Sequence, residues 1–305
     1  MLAPMQGITN RALRRVFVER VRPDIVFTEF VRVRAKSKKG LSSTDRREVS
    51  AASGGVPVVA QLIGSDPHAL LSAAREIQEA GARHLNLNMG CPTGRMTPGA
   101  AGGGLLGAPE VLPRLLHALR QGIEGTFSVK VRAGYEDPRQ ILSLLSLFEG
   151  EGIDFLVLHP RTVKQGYSGQ PDHGVTAEVV AATRLPVVAN GDVVTAGQGR
   201  EVLARTRAAG LMLGRGAISD PLLFLRMRGE AAEVPTPDAR RRELAVYVGA
   251  LAERYGDLFC GEAQVLYKLK EVFRHVREAG LSEVVKDLNR VRTLSELREV
   301  LAALG

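Results

Sequence analysis

Apolar residues fall into eight short runs along this chain, at 1–5, 25–31, 57–63, 84–89, 127–132, 155–159, 186–190 and 210–214. Each has the length of a buried strand rather than a core helix. Helical spacing fills the gaps. Asn10 is placed to cap a helix that runs to Glu19. Asp66-Pro67 pairs an N-cap with proline at the first helical position, and Gly81 closes that helix. Asp137-Pro138 repeats the device before 140–149, and further helical patterns cover 108–119, 176–182 and 196–208. Strand and helix alternate eight times over about 220 residues, which predicts an α/β fold, a (β/α)8 TIM barrel. The rival is an open doubly wound sheet, but no GxGxxG follows an early strand. Met1 lies almost at the end of the first run, so the lower part of that strand is expected to be missing or to begin upstream. From Glu233 the pattern changes. Pro235 and Pro237 read as a linker, and the remainder is helical, with Leu244, Val248 and Leu251, then Val265, Leu269, Val272 and Val276, then Leu294, Leu297 and Leu301 on helix faces. The predicted division is a barrel at 1–232 and a small helical domain at 233–305.

The fourth run carries the first chemical signal. Leu85 and Leu87 alternate with Asn86 and Asn88, and the strand then meets Gly90-Cys91-Pro92 and a loop with five glycines from Gly94 to Gly104. A thiol at a strand end beside a glycine-rich loop is a candidate for chemistry, and Asn88 offers an amide able to read a ligand edge. The plainer reading is an inert buried cysteine.

Composition narrows the class. The 305 residues are 45% hydrophobic and 24% charged, as in a soluble globular protein. No run of 18 or more apolar residues suggests a membrane span, and no secretory segment opens the chain. The two cysteines, Cys91 and Cys260, form neither a disulfide framework nor a zinc pattern, so a reducing cytoplasm is expected. Cys260 reads as a buried residue of the helical domain. Net charge is +8. Residues 11–48 hold twelve Lys/Arg against five Asp/Glu, whereas 231–305 hold twelve of each. A local excess of this kind points to an anionic partner, unless it is only a solvated face.

Barrel active sites form at the C-terminal strand ends. Those ends carry Pro4, Met5, Gln6 and Gly7; Thr28, Glu29 and Arg32; Gln61; Asn88 and Cys91; Lys130 and Arg132; His159 and Arg161; Asn190, Gly191 and Asp192; and Gly214, Arg215 and Gly216. The last two groups sit where barrels bind phosphate, with glycine backbone and the Arg215 fork as donors. Gln61 and Asn190 suit the edge of a flat heteroaromatic ring. Lys130 can place positive charge where a reduced ring becomes negative. A phosphate on one side and a ring across the mouth is the shape of FMN.

With these residues in place, the chain resembles the tRNA-dihydrouridine synthase family over essentially its whole length. The matching pieces are LAPMQGITN, VAQLIG, LNLNMGCP, GGGLLG, VKVRAG, LHPRT…QGYSG, PVVANGDV and LMLGRGA. The runs at 28–33 and 102–106 are most similar to the DusC branch, which acts on position 16 of the tRNA D-loop. The resemblance implies a flavin barrel followed by a helical tRNA-binding domain, with FMN as cofactor, NADPH as reductant and tRNA as partner. Position by position, it implies that Cys91 is the proton donor to uracil. It makes Asn88 and Arg132 substrate contacts. Pro4, Met5, Gln6, Gln61, Lys130, His159, Asn190, Gly191, Asp192, Gly214 and Arg215 become the FMN shell, and Arg32, Lys268 and Lys270 tRNA contacts. Two departures stand out. Thr93-Gly94-Arg95 replaces a commoner Lys or Ser pattern, with Arg95 read as the substitute cation. Pro160 stands where glycine or alanine is usual in the H-x-R-T motif.

Reduction of a uracil needs hydride at carbon 6 and a proton at carbon 5. A thiol with an ordinary pKa of ~8.5 can hold and release that proton near neutrality. The target base must leave the tRNA stack. Aromatic platforms are few, with Phe30 and Tyr167 the candidates. The expected tRNA surface runs from Arg32, Arg34, Lys36, Lys38 and Lys39 across the mouth to Lys268 and Lys270. Two rival functions remain open on the sequence: a flavin-dependent dehydrogenase or ene-reductase for a free pyrimidine, and an RNA-binding protein with a dead barrel.

Overall fold

The computed structural model describes residues 1–34, 40–50, 54–92 and 101–305. Thr93, Gly94, Arg95, Lys36, Lys38 and Lys39 lie outside the described residues. The strands are β1 (Val26–Phe27), β2 (Val31–Arg32), β3 (Val58–Ile63), β4 (His84–Met89), β5 (Thr126–Gly134), β6 (Phe155–Thr162), β7 (Val187–Asn190) and β8 (Gly210–Met212). All pair in parallel, in the order β1-β3-β4-β5-β6-β7-β8, with β2 also on β3. Leu2 closes the circle, bridging Val26 on one side and Leu213 on the other.

Two expectations about strands change in detail. The first predicted strand is a single ladder residue, Leu2, and the second is two short pieces separated by residues 28–30. The barrel still closes, because Leu2 N–H donates to Ile25 C=O and Ala3 N–H to Leu213 C=O.

Alternation sorts the strand residues into two apolar layers. Ala3, Phe27, Val59, Val157, Val188 and Met212 fill the barrel interior. Leu85, Leu87, Val129 and Val131 face outward, under Leu115, Leu116, Leu119 and Phe148 of the surrounding helices. Each buried leucine or phenylalanine contributes roughly 1.5–3 kcal/mol.

Helix caps follow the sequence closely at two of three sites. Asn10 accepts from Ala12 and Leu13 N–H at the start of helix Arg11–Val21, and Asp66 accepts from Ala69 N–H before Pro67–Glu79. Asp137 instead accepts from Arg139 N–H within the preceding turn, so Gln140–Gly150 starts without a side-chain cap. The predicted helix 108–119 is displaced to Leu112–Gly122, behind two short 3₁₀ turns.

Pro237 is not part of a linker. It is the first residue of helix Pro237–Leu258, capped by Thr236, because a missing N–H costs nothing at that position. Helices Glu262–Phe273, Ser282–Arg290 and Leu294–Ala302 complete the tail. Its apolar core continues into the barrel. Phe17 stands edge-on to both Phe224 and Tyr247, with centroids 6.1 Å apart in each pair. Buried Arg226 binds Asp220 on the barrel side and Glu243 on the tail side. Arg240 reaches Ser219 C=O and Glu278. The apolar cluster therefore crosses the expected boundary at 232/233. Among the described residues no helix is long and apolar enough to cross a membrane.

Candidate active site

The ladder register brings the predicted strand-end residues together. Asn88 lies beside Lys130, and Arg132 beside His159, in adjacent strands. Cys91 follows β4 by two residues and is half-buried. Its turn is held from two sides. Asn88 Oδ1 accepts the N–H groups of Gly90 at 3.0 Å and Cys91 at 2.9 Å. Gly103 N–H donates to Cys91 C=O at 3.0 Å, and a Cβ at Gly103 would press on Val163 at 2.8 Å and on that carbonyl at 3.0 Å. Gly103 thus packs directly on the thiol's loop.

Lys130 Nζ donates to Asn190 Oδ1 at 3.0 Å, and Asn190 Nδ2 to Met212 C=O. Burial pushes the Lys130 ammonium down to about 8, with nearby Arg132 adding to the effect. His159 is pushed down to about 2 by burial and by Lys130, Arg132, Arg161 and Arg215 around it. The ring stays neutral. Its Nε2 lies 3.3 Å from Arg161 Nη1 and can only accept there, so its proton sits on Nδ1. Pro160 does not prevent this contact.

Asp192 organises the cations. It bridges buried Arg161 and exposed Arg215, each at 2.5 Å. Burial alone would raise the Asp192 carboxyl, but the two guanidinium groups hold it below its usual range. The residue adopts a positive φ of 47°, next to Gly191 at 139°. A Cβ at Gly191 would come within 3.0 Å of Pro171 and 3.1 Å of His159. His173 Nε2 approaches Gly191 C=O at 3.3 Å and steadies the same turn. Asp192 thus ties the two arginines together.

Met5 reaches the same mouth, while Pro4 is half-buried and Gln6 exposed in the segment around it. Met5 Sδ lies 3.7 Å from where a Gly214 Cβ would be, and Thr9 Oγ1 accepts Met5 N–H. Gly7 N–H donates to Glu29 at 2.8 Å, and burial raises the Glu29 carboxyl above its usual range. Arg132 is 2% exposed. Its guanidinium donates to Gly90, Thr162 and Gly166 carbonyls, so it acts as a strut between loops. Tyr167 is 62% exposed, with Arg132 and Arg215 5.4 and 5.2 Å from its ring. Phe30 is buried against Ile63 and Ala101 and is core, not a platform.

Away from the mouth the picture is mixed. Arg32 is half-buried beside the Phe30 ring, and Arg34 is exposed. Lys268 Nζ approaches Gly7 C=O at 3.4 Å, close to the Phe259 and Tyr267 rings. Lys270 turns inward and donates to Val291 C=O. Some of the early cations are structural: Arg14 is buried on Glu48, Arg11 shares that carboxylate, and Arg46 pairs with Glu76. Cys260 is exposed, contrary to expectation, because it lies in the open turn between two helices. Asn86, Ser128 and His173 are also polar and buried, and they contact Gln61, Asn86 and Gly191 beside the site. The signal available for the first two is a polar residue on the inward side of an alternating strand.

The fold and this mouth define a barrel enzyme with a thiol and a nest of cations gathered at the C-terminal strand ends. Comparison with solved structures agrees on the fold: morphinone reductase in complex with tetrahydroNAD superposes with a TM-score of 0.55 at 13% identity, covering 78% of this chain and 89% of that one. The family model described as dihydrouridine synthase (Dus) matches residues 1–299. A probable tRNA-dihydrouridine synthase of Rhodobacter capsulatus is 34% identical over 72% of this chain and 68% of that protein. The tRNA-dihydrouridine(16) synthase of Ralstonia nicotianae is 32% identical over 83% and 78%. The tRNA-dihydrouridine synthase B of Pseudomonas putida is 30% identical over 85% and 77%. This chain belongs to the dihydrouridine synthase family.

Proposed function

We propose that this protein reduces a D-loop uridine of tRNA, at position 16, to 5,6-dihydrouridine, with FMN as cofactor and NADPH as reductant. The observation that carries the reading is one barrel end that joins a positioned thiol to four cations around a neutral His159. Asp192 is the carboxylate spent among them. This donor set fits FMN: Arg215 and the glycine turns at 191 and 214 suit its phosphate, and Lys130, Asn190 and Gln61 suit its ring. When bound, FMN supplies the hydride for carbon 6 of the uracil. Cys91 supplies the proton for carbon 5, and the turn built by Asn88 and Gly103 aims the thiol. Action on tRNA puts the enzyme in the cytoplasm. Free-pyrimidine reduction is less favoured, since the named relatives are tRNA enzymes.

The deciding experiment maps dihydrouridine in tRNA from cells with and without this protein. Loss at position 16 supports the reading in full. Loss at another D-loop position keeps the activity and corrects the site, and an unchanged map rejects the activity.

The Lys130 ammonium implies a pH dependence. Its native value, about 8, lies below the ordinary lysine range, so the charge is lost as pH rises through 8. An anionic guest stabilises the charged form. Affinity for FMN is therefore expected to hold to about pH 7 and weaken above 8, and Lys130→Met should flatten that dependence. Titration calorimetry of the apoprotein across this range checks it.

We place the tRNA backbone along Arg32, Arg34 and the helical tail near Lys268, with 233–305 as the tRNA-binding domain. Phosphate contacts make affinity fall steeply with salt, and each lost contact lowers the slope by somewhat under one unit. Arg32→Ala and Lys268→Ala are expected to show this. Lys270→Ala should destabilise the tail through its lost bond to Val291 and leave the salt slope unchanged. Unchanged slopes for Arg32 and Lys268 would move the interface elsewhere.

A further inference from the structure

A chain of hydrogen bonds runs head to tail through the barrel interior, and backbone groups fix its direction at both ends. At the upper end, Asn88 Oδ1 accepts the N–H groups of Gly90 and Cys91. An N–H can only donate, so the Asn88 oxygen must lie on that side and its Nδ2 on the other. Nδ2 donates to Gln61 Oε1 at 2.9 Å. Gln61 Nε2 then donates to Asn86 Oδ1 at 2.8 Å, and Asn86 Nδ2 to Ser128 Oγ at 2.8 Å. The chain ends where the Ser128 hydroxyl approaches Leu85 C=O at 3.3 Å. Gln61, Asn86 and Ser128 are ladder partners across β3, β4 and β5, two residues below the Asn88–Lys130 level. All four side chains are 7% exposed or less. Turning over any one amide would set donor against donor in a place water does not reach.

Among the described residues, this arrangement leaves the second hydrogen on Asn88 Nδ2 without a partner. Both lone-pair directions of its oxygen are occupied by the turn that holds Cys91. A guest in the mouth therefore meets an N–H at this position and not a carbonyl.

We propose that Asn86 and Ser128, which touch neither thiol nor guest, are positioning residues. They fix the Gln61 and Asn88 amides so that Asn88 offers a donor to a ring carbonyl of the substrate while its oxygen holds the Cys91 turn. The inference rests on the tRNA-uridine reading above for the identity of that ring. Asn86→Asp is the conservative variant. Its oxygens still accept from Gln61 and from the Ser128 hydroxyl, so the direction survives. Asn86→Leu removes the acceptor and frees Gln61 to turn. Ser128→Ala removes only a hydroxyl and leaves Asn86 without its anchor.

Two readouts are needed. One is the single-turnover rate of uridine reduction by the FMN-loaded enzyme, with tRNA affinity measured alongside. The other is hydrogen exchange at the Gly90 and Cys91 amides in the apoprotein. Asn86→Leu is expected to lose ~10–10²-fold in rate, as for a small displacement transmitted to a reacting group. Its tRNA affinity should be unchanged and its two amides should exchange faster. Asn86→Asp should recover most of both. Equal behaviour of the Leu and Asp variants, or a wild-type rate and wild-type exchange in the Leu variant, overturns the proposal. Should the Leu variant not fold, Ser128→Ala against wild type carries the same comparison. Absence of any dihydrouridine formation by the wild-type protein would reject the function, while the exchange measurement would still decide the orientation.

Discussion

Replacing Cys91 with alanine is expected to lower the rate of uridine reduction by ~10²–10⁴-fold, the usual worth of a positioned general acid. The loss should fall on the chemical step. The thiol is needed only as hydride arrives, and the backbone contacts that shape its turn do not involve the sulfur: Asn88 takes the Cys91 N–H and Gly103 donates to its carbonyl. FMN binding and NADPH oxidation should remain near wild type, because the Lys130–Asn190 and Arg215–Asp192 pairs are untouched. Single-turnover measurements with tRNA separate the two parts. A variant that reduces uridine at the wild-type rate removes Cys91 from the mechanism.

The second large effect is expected at Asp192. Alanine there takes the counter-charge from Arg161, whose side chain is 1% exposed, and from Arg215 at the rim. Breaking a fully buried pair costs about 3–5 kcal/mol. Asp192 itself is about one-third exposed, which screens the interaction, so the lower end of that range is expected. Arg161 retains the Gly169 carbonyl and the His159 contact, which further limits the loss. Arg215 loses its tether, and FMN affinity should fall by ~1.5–3 kcal/mol, the scale of one charged hydrogen bond. The native carboxyl titrates below its usual range, so its contribution is present above pH ~4 and is lost as pH falls through the native value. The stability gap between wild type and Asp192→Ala should therefore shrink in acid. Urea unfolding of the apoprotein at several pH values and a flavin titration test both parts. Equal stability at neutral pH would show that Arg161 does not need this partner.

Alternation and helix spacing in the sequence determined the barrel. Six predicted strands survive with end shifts of a few residues, since buried parallel strands read as apolar runs bounded by turns. The caps at Asn10 and Asp66 are local chemistry and were legible for the same reason. So was the gathering of Cys91, Lys130, His159, Asn190 and Arg215 at one end, because a parallel barrel puts every C-terminal strand end on one face.

Tertiary structure decided what each polar group is spent on. That Arg132 braces the Gly90, Thr162 and Gly166 carbonyls and that Lys270 turns inward depend on partners far along the chain. So does the use of Asp192 on two arginines. The chain from Ser128 to Cys91 is the clearest case. Its residues come from three strands, and their amide directions follow only once the ladder register sets them side by side. A sequence shows which side chains can donate and accept; closure of the barrel shuts out water and thereby leaves them only one another and nearby backbone as partners.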